Sequence, residues 1–307
     1  GDHPDQAAWS LSLWFAVLLV GVALWGRQLG GPALGLLAAL LCVLAPGLAE
    51  WRVDYVLEIP LCAGCVWALW LLGRWLRPGG ASWPAAFVAA LAIAAALLIK
   101  QSALLLLLGP AVWAAWVGCR ERSRRLQLLA ALAFVLALVA PWLGHNLITV
   151  IGGTNRATLE SAAREGDPTA LTLAGWFWYP SRLPQLIGTV PLVVGLAGGV
   201  LALWKRSRPR WDWCWLWGVV LSGWLFTTLS PNKDLRYLGP LLPFLALLLA
   251  RGWLLLAQAL QPALRWPLFG LGVVLTAGFS LQARQQALLG PAAFPQPLED
   301  IVNSIQG

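Results

Sequence analysis

Runs of apolar residues near 9–26, 32–48, 57–76, 84–99, 102–118, 126–144, 185–204, 211–229, 238–256 and 266–283 follow one another with short polar breaks between them. A helix needs about 17–25 apolar residues to cross a hydrocarbon layer of about 30 Å, so the pattern predicts an all-α polytopic transmembrane bundle of about ten helices. The stretch 84–118 is interrupted only by Lys100 and Gln101. As one helix it would reach roughly 50 Å, so it is predicted to fold as a hairpin of two short crossings. The segment 145–184, about forty residues, is longer than a helix connection requires, and its polar middle, Glu160–Glu165, predicts a short surface or re-entrant helix. The bundle is expected to occupy 1–283. A tail at 284–307 begins an amphipathic pattern with Leu298, Ile301, Val302 and Ile305 on one face.

Charge then orients the helices. Arg74 and Arg77, the group Arg120, Arg122, Arg124 and Arg125, the group Lys205, Arg206, Arg208 and Arg210, and finally Arg265 fall on alternate loops. They share one side, the cytoplasmic one by the positive-inside rule. The other loops hold most of the acids and both histidines, so chemistry is expected there, on the extracytoplasmic face.

Composition agrees: 59% of residues are hydrophobic and 11% charged, with a mean hydropathy of +0.72, against about a quarter charged in soluble domains. A net charge of +8 would suggest nucleic acid in a soluble protein. Here the basic residues cap helix ends beside anionic headgroups, and no nucleic-acid partner is expected. Many of the 21 tryptophans flank apolar runs, among them Trp9, Trp51, Trp83, Trp142, Trp176, Trp178 and Trp211, and read as interfacial anchors. Cys62-x-x-Cys65 is either half a metal site or, lacking further ligands nearby, a pair of small helix-packing residues. The Gly31–Gly35 pair and Gly195, Gly198 and Gly199 read as small-residue packing surfaces. The chain opens on Gly1 and contains no methionine, so a preceding segment is expected.

Four places could carry chemistry. In SPNKDLRYLGPLLP, 230–243, Lys233, Asp234 and Arg236 open an apolar run. Asn232 or Asp234 could cap that helix, but two cations at a helix N-terminus oppose its dipole, which suggests a bound anion such as phosphate. In EWRVDYVLEIP, 50–60, Glu50, Arg52, Asp54 and Glu58 crowd a helix start. Asp54 and Glu58, four apart, are expected to share a face, where like charges repel unless a cation intervenes; Arg52 is the nearest candidate. Lys100 either snorkels from a hairpin tip or helps hold a phosphate. The long loop offers His145, Asn155, Arg156, Glu160 and Asp167 with Trp178 close behind, and Tyr237 follows Arg236. Aromatic planes beside amides and carboxylates suit a sugar, or form an interfacial belt on a solvated loop. His3 and His145 sit on distant segments, so no metal site is indicated, and the need for a divalent ion is left open.

These segments resemble bacterial glycosyltransferases of the GT-C superfamily, the relatives of protein O-mannosyltransferases and lipid A aminoarabinose transferases. SPNKDLRYLGPLLP is similar to the opening of a late helix in that family. RVDYVLEIPL is similar to its arginine–aspartate helix start, LLIKQSALLLLLGP to its lysine hairpin and APWLGHNL to a proline–tryptophan helix end. The resemblance implies an integral enzyme of the bacterial inner membrane that moves a sugar, with inversion, from a polyprenyl-phosphate donor to a lipid, glycan or protein acceptor on the extracytoplasmic face. Lys100, Lys233, Arg236 and Arg52 would then meet the donor phosphate. Asp54 and Glu58 would stand among the catalytic acids, and His145, Asn155, Arg156, Glu160, Asp167, Trp178, Asp234 and Tyr237 would meet sugar or acceptor. Residues 1–8 match only the end of the family's first extracytoplasmic loop, so its first helix and catalytic acid are expected upstream of Gly1. The rival readings are a transporter or lipid flippase, and a non-catalytic scaffold subunit.

Overall fold

The structure, a computed structural model, describes residues 4–54, 56–204 and 210–289. His3, Lys205, Arg206, Arg208 and the amphipathic pattern of the tail lie outside the described residues. Fourteen α-helices are found among those described: α1 (Pro4–Gly30), α2 (Pro32–Leu44), α3 (Pro46–Trp51), α4 (Glu58–Leu76), α5 (Trp83–Ile99), α6 (Ala103–Arg120), α7 (Arg122–Asn155), α8 (Ser161–Glu165), α9 (Leu173–Phe177), α10 (Leu183–Ile187), α11 (Thr189–Trp204), α12 (Trp211–Leu229), α13 (Leu242–Ala259) and α14 (Pro262–Leu289).

Every predicted apolar run is helical, and the hairpin is present: α5 and α6 are separate helices broken at Lys100–Ser102. Six helical segments are long and apolar enough to cross a membrane, or seven counting the pair Leu173–Ile187 and Thr189–Leu201, which bends by 115°. That is fewer than the expected ten. α2, at 13 residues, reaches only about 20 Å at 1.5 Å per residue, because Pro46 starts a new helix before the run can lengthen.

The expected loop after residue 144 is largely helical. α7 runs on to Asn155 and continues through a π-helical turn, Arg156–Glu160, into α8, giving a 44-residue helical span. Pro141 does not end it, and no glycine stop occurs until Gly166, whose φ of 67° closes α8. The polar middle of the supposed loop is therefore the end of a projecting helix.

α4 is the most enclosed of the candidate spans and packs on α1, α5 and α6. Where Gly64 faces α5, a Cβ would lie 3.1 Å from the Ala96 Cα. Cys62 and Cys65 are fully buried beside it, consistent with their reading as packing residues. α11 meets α13 still more closely, since a Cβ on Gly198 would fall 1.8 Å from the Gly252 carbonyl oxygen. Gly199 touches nothing within 4 Å, so the small-residue face is Gly195 and Gly198. Trp51 is a correction to the aromatic belt: it is buried, its ring against Gly239.

The alternation of loops is geometric as well as electrostatic. At one end, Arg124 donates to the carbonyls of Trp75, Leu76 and Arg77 at 3.1, 2.8 and 3.0 Å, closing the C-terminus of α4. Asp212, in the first turn of α12, accepts from Gln28 at 2.8 Å and lies 3.8 Å from Arg77 and 3.9 Å from Arg210. At the other end lie the turn before α4, the α5–α6 hairpin and the loop after α12.

Candidate functional site at the acidic end

The loop after α12 is built by satisfying helix ends. Asp234 is the N-cap of a 3-10 helix, Leu235–Leu241, and accepts from the Arg236 N–H at 2.8 Å, as the capping reading requires. The Arg236 guanidinium closes on the same carboxylate, Nε 2.8 Å from Oδ2, with Nη2 bonded to it too. Arg236 remains about half exposed. Burial pushes the Asp234 carboxyl up, but the Arg236 hydrogen bonds and the fields of Arg236 and Lys100 more than offset it and leave the group below its ordinary value.

Lys233 departs from the anion-binding expectation. Its side chain is buried, and the ammonium donates to the carbonyls of Thr228 and, at 2.7 Å, Ser230. The charge expected to oppose one helix dipole is folded back onto the negative end of the preceding helix, where it is favourable. Burial lowers its pKa and Asp167 opposes that shift. Asp167 accepts from the Lys233 backbone N–H at 2.7 Å, and the Asn232 amide donates to the Ala157 carbonyl. The projecting helix and the segment behind it thus fasten the loop in place. Tyr179, fully buried, adds a hydrogen bond to the Asp234 carbonyl at 3.3 Å and stacks edge-on with Trp178.

Glu58 starts α4 and is 1% exposed. A carboxylate suits a helix N-terminus, and its partner is the Lys100 ammonium from the α5–α6 break. Asp54 does not share a helical face with it: Asp54 sits in the preceding turn and is exposed. The cation that neutralises Glu58 is Lys100 rather than Arg52, whose guanidinium lies 5.4 Å over the Phe15 ring. Burial, and then the nearby Asp54 charge, push the Glu50 carboxyl up.

The two ion pairs belong together, because Lys100 acts electrostatically on Asp234 and Glu58 on Arg236. Glu58, Lys100, Asp234 and Arg236, drawn from three parts of the chain, therefore stand within electrostatic reach of one another, as the packing of α4 on the 3-10 helix requires. The other sugar-site candidates are spread out. Asn155 donates to Glu160 at 3.3 Å on the exposed end of the projecting helix, with Arg156 exposed beside them. His145 is exposed ten residues earlier, about 15 Å along the axis. Trp178 carries Arg182 stacked 3.9 Å from its ring. Tyr237 is half-buried, its N–H bonded to the Asp234 carbonyl at 3.1 Å. Sequence reasoning missed Tyr179 as the prop under Asp234; its only signal was a tyrosine in the aromatic run before Pro180. Among the described residues, no three His, Cys, Asp or Glu side chains converge as a metal site requires.

Over 95% of its length the chain superposes on ArnT from Cupriavidus metallidurans bound to undecaprenyl phosphate, with a TM-score of 0.65 at 17% identity. The apo form of that protein gives 0.62 over the same share at 17% identity. The chain thus shares the fold of these structures. The chain spans about half the length of these structures, 53% and 52%. Residues 1–145 match the dolichyl-phosphate-mannose-protein mannosyltransferase family model, a stretch covering α1 to α6, most of α7, and the Glu58–Lys100 pair. No curated protein sequence matches.

Proposed function

We propose that the protein is a membrane glycosyltransferase that takes a sugar from a polyprenyl-phosphate donor, with the reaction at the end carrying Glu58, Lys100, Asp234 and Arg236. The observation that carries this reading is the convergence of two ion pairs from three segments at one end of a GT-C bundle. In such a transfer an acceptor hydroxyl oxygen bonds to the anomeric carbon from the face opposite the phosphate. The carbon–oxygen bond to the phosphate breaks, inverting the centre, and the hydroxyl proton passes to a carboxylate. The lipid phosphate leaves with added negative charge, which prepositioned cations stabilise.

The half-exposed Arg236 and the partly exposed Lys100 are the cations placed for that charge. Asp234 orients Arg236 and Glu58 orients Lys100, while Lys233 holds the loop. Asp54, exposed and unburdened by an ion pair among the described residues, is the carboxylate available to an acceptor proton. The reading places this end on the extracytoplasmic face of a bacterial inner membrane, with a lipid, glycan or protein as acceptor.

The test is transfer from polyprenyl-phosphate sugars in proteoliposomes. Sugar must leave the lipid phosphate, and Arg236→Ala must abolish that release while leaving the fold intact. Movement of the intact lipid sugar between leaflets without release would support a flippase instead.

A further inference from the structure

At the opposite end, a cavity of about 690 Å³ opens between the C-terminal turns of α4 and the start of α5. Its wall combines Arg74 and Arg77 with Leu71 and Val88, and the turn at Gly79 and Gly80 forms its floor. Gly79 has φ 77°, which lets the chain reverse tightly there. A Cβ on Gly80 would lie 2.1 Å from the Arg74 carbonyl oxygen, so the turn is pressed against the helix end.

The two cations differ in their ties. Arg77 is 3.8 Å from Asp212. Arg74 stacks over the Trp70 ring at 5.3 Å and has no carboxylate partner among the described residues. Leu71 and Val88 stand about one turn from Arg74 and from the α5 start respectively, toward the middle of the bundle. The cavity therefore offers positive charge at the bundle's edge and apolar wall on its membrane side. A soluble phosphate would use only the first of these features, whereas a phospholipid uses both.

We infer that this cavity binds an anionic phospholipid, its phosphate between Arg74 and Arg77 and its first acyl carbons against Leu71 and Val88. The site is separate from the charged end described above, since it lies at the C-terminal end of α4 and the start of α5 whereas Glu58 and Lys100 lie at the other ends of those helices, and it does not depend on the proposed transferase activity.

The experiment is native mass spectrometry of the full chain released from nanodiscs holding phosphatidylglycerol and phosphatidylcholine with matched acyl chains. Wild type is expected to retain phosphatidylglycerol preferentially, and Arg74→Gln to lower that retention about fivefold, the worth of one basic residue at a membrane surface. Val88→Trp, which crowds the apolar wall and spares both arginines, is expected to lower it too, and thermal unfolding of each variant checks the fold. The Lys100→Met, Arg236→Ala double variant is expected to keep it, which separates this site from the donor site. Unchanged retention in both Arg74→Gln and Val88→Trp, or equal retention of the two lipids by wild type, would overturn the inference. Displacement of the lipid by an equal concentration of glycerol phosphate would overturn it in favour of a soluble phosphate.

Discussion

Arg236 clasps both carboxylate oxygens of Asp234, its backbone N–H 2.8 Å from Oδ1 and its Nε 2.8 Å from Oδ2, with Nη2 also bonded to Oδ2. One carboxylate thereby caps a 3-10 helix and aims a guanidinium, so the sequence D-x-R is a local device that sets a half-exposed positive charge at the mouth of the bundle.

Asp234→Asn is expected to keep part of the cap and lose the clasp, costing about 1 kcal/mol of stability and at least tenfold in sugar transfer. Because the folded-state pKa of Asp234 lies below its ordinary value, its contribution to stability is full above the unfolded carboxylate pKa, near 4, and is lost as pH falls through the lower folded value. Unfolding temperatures recorded between pH 7 and pH 3 should show a smaller acid decline in the variant than in wild type.

The Glu58–Lys100 pair is buried on the glutamate side and partly open on the lysine side. Lys100→Met strands a buried carboxylate and is expected to cost about 3 kcal/mol. Adding Glu58→Gln should recover most of that stability and none of the transfer activity. A double-mutant cycle on unfolding, run beside a transfer assay, checks both halves.

Lys233→Met removes the donor that serves the Thr228 and Ser230 carbonyls and should cost roughly 1–3 kcal/mol. Its effect on turnover is expected to follow the population of folded protein, with the donor KM of that fraction unchanged. A raised KM with unchanged stability would instead place Lys233 on the donor phosphate.

Much of the architecture was legible in the chain because a bilayer imposes length and charge rules on every crossing. The ten apolar runs, the break at Lys100 and the alternating basic loops are direct products of those rules. The continuation of α7 past His145 to Asn155, and through the π-turn into α8, was not legible, since the segment's polarity suits a loop and a projecting helix equally. Within the site, the Asp234 cap could be read from its place before the helix. The pairing of Glu58 with Lys100 could not, because it joins residues 42 apart in sequence through the packing of α4 on α5. The seating of Lys233 could not be read either, because the carbonyls that hold its ammonium belong to the helix before it and not to the one it precedes.

Gly198→Leu should be among the most disruptive substitutions, since even a Cβ there would overlap the Gly252 carbonyl oxygen. Association of helices in lipid depends on close packing, and forcing α11 from α13 is expected to cost about 3 kcal/mol. Gly199→Leu, with nothing within 4 Å, is expected to be close to neutral, and thermal unfolding of the two variants side by side measures the contrast.

The central claim is that the paired charges at residues 58, 100, 234 and 236 form the seat of a lipid phosphate. Binding of undecaprenyl phosphate to the purified protein, compared with the Lys100→Met, Arg236→Ala double variant, tests it most directly. Loss of two charge-assisted contacts predicts affinity lower by about a hundredfold or more, with affinity for neutral undecaprenol unchanged. Equal affinity of wild type and variant for the phosphate would contradict the account.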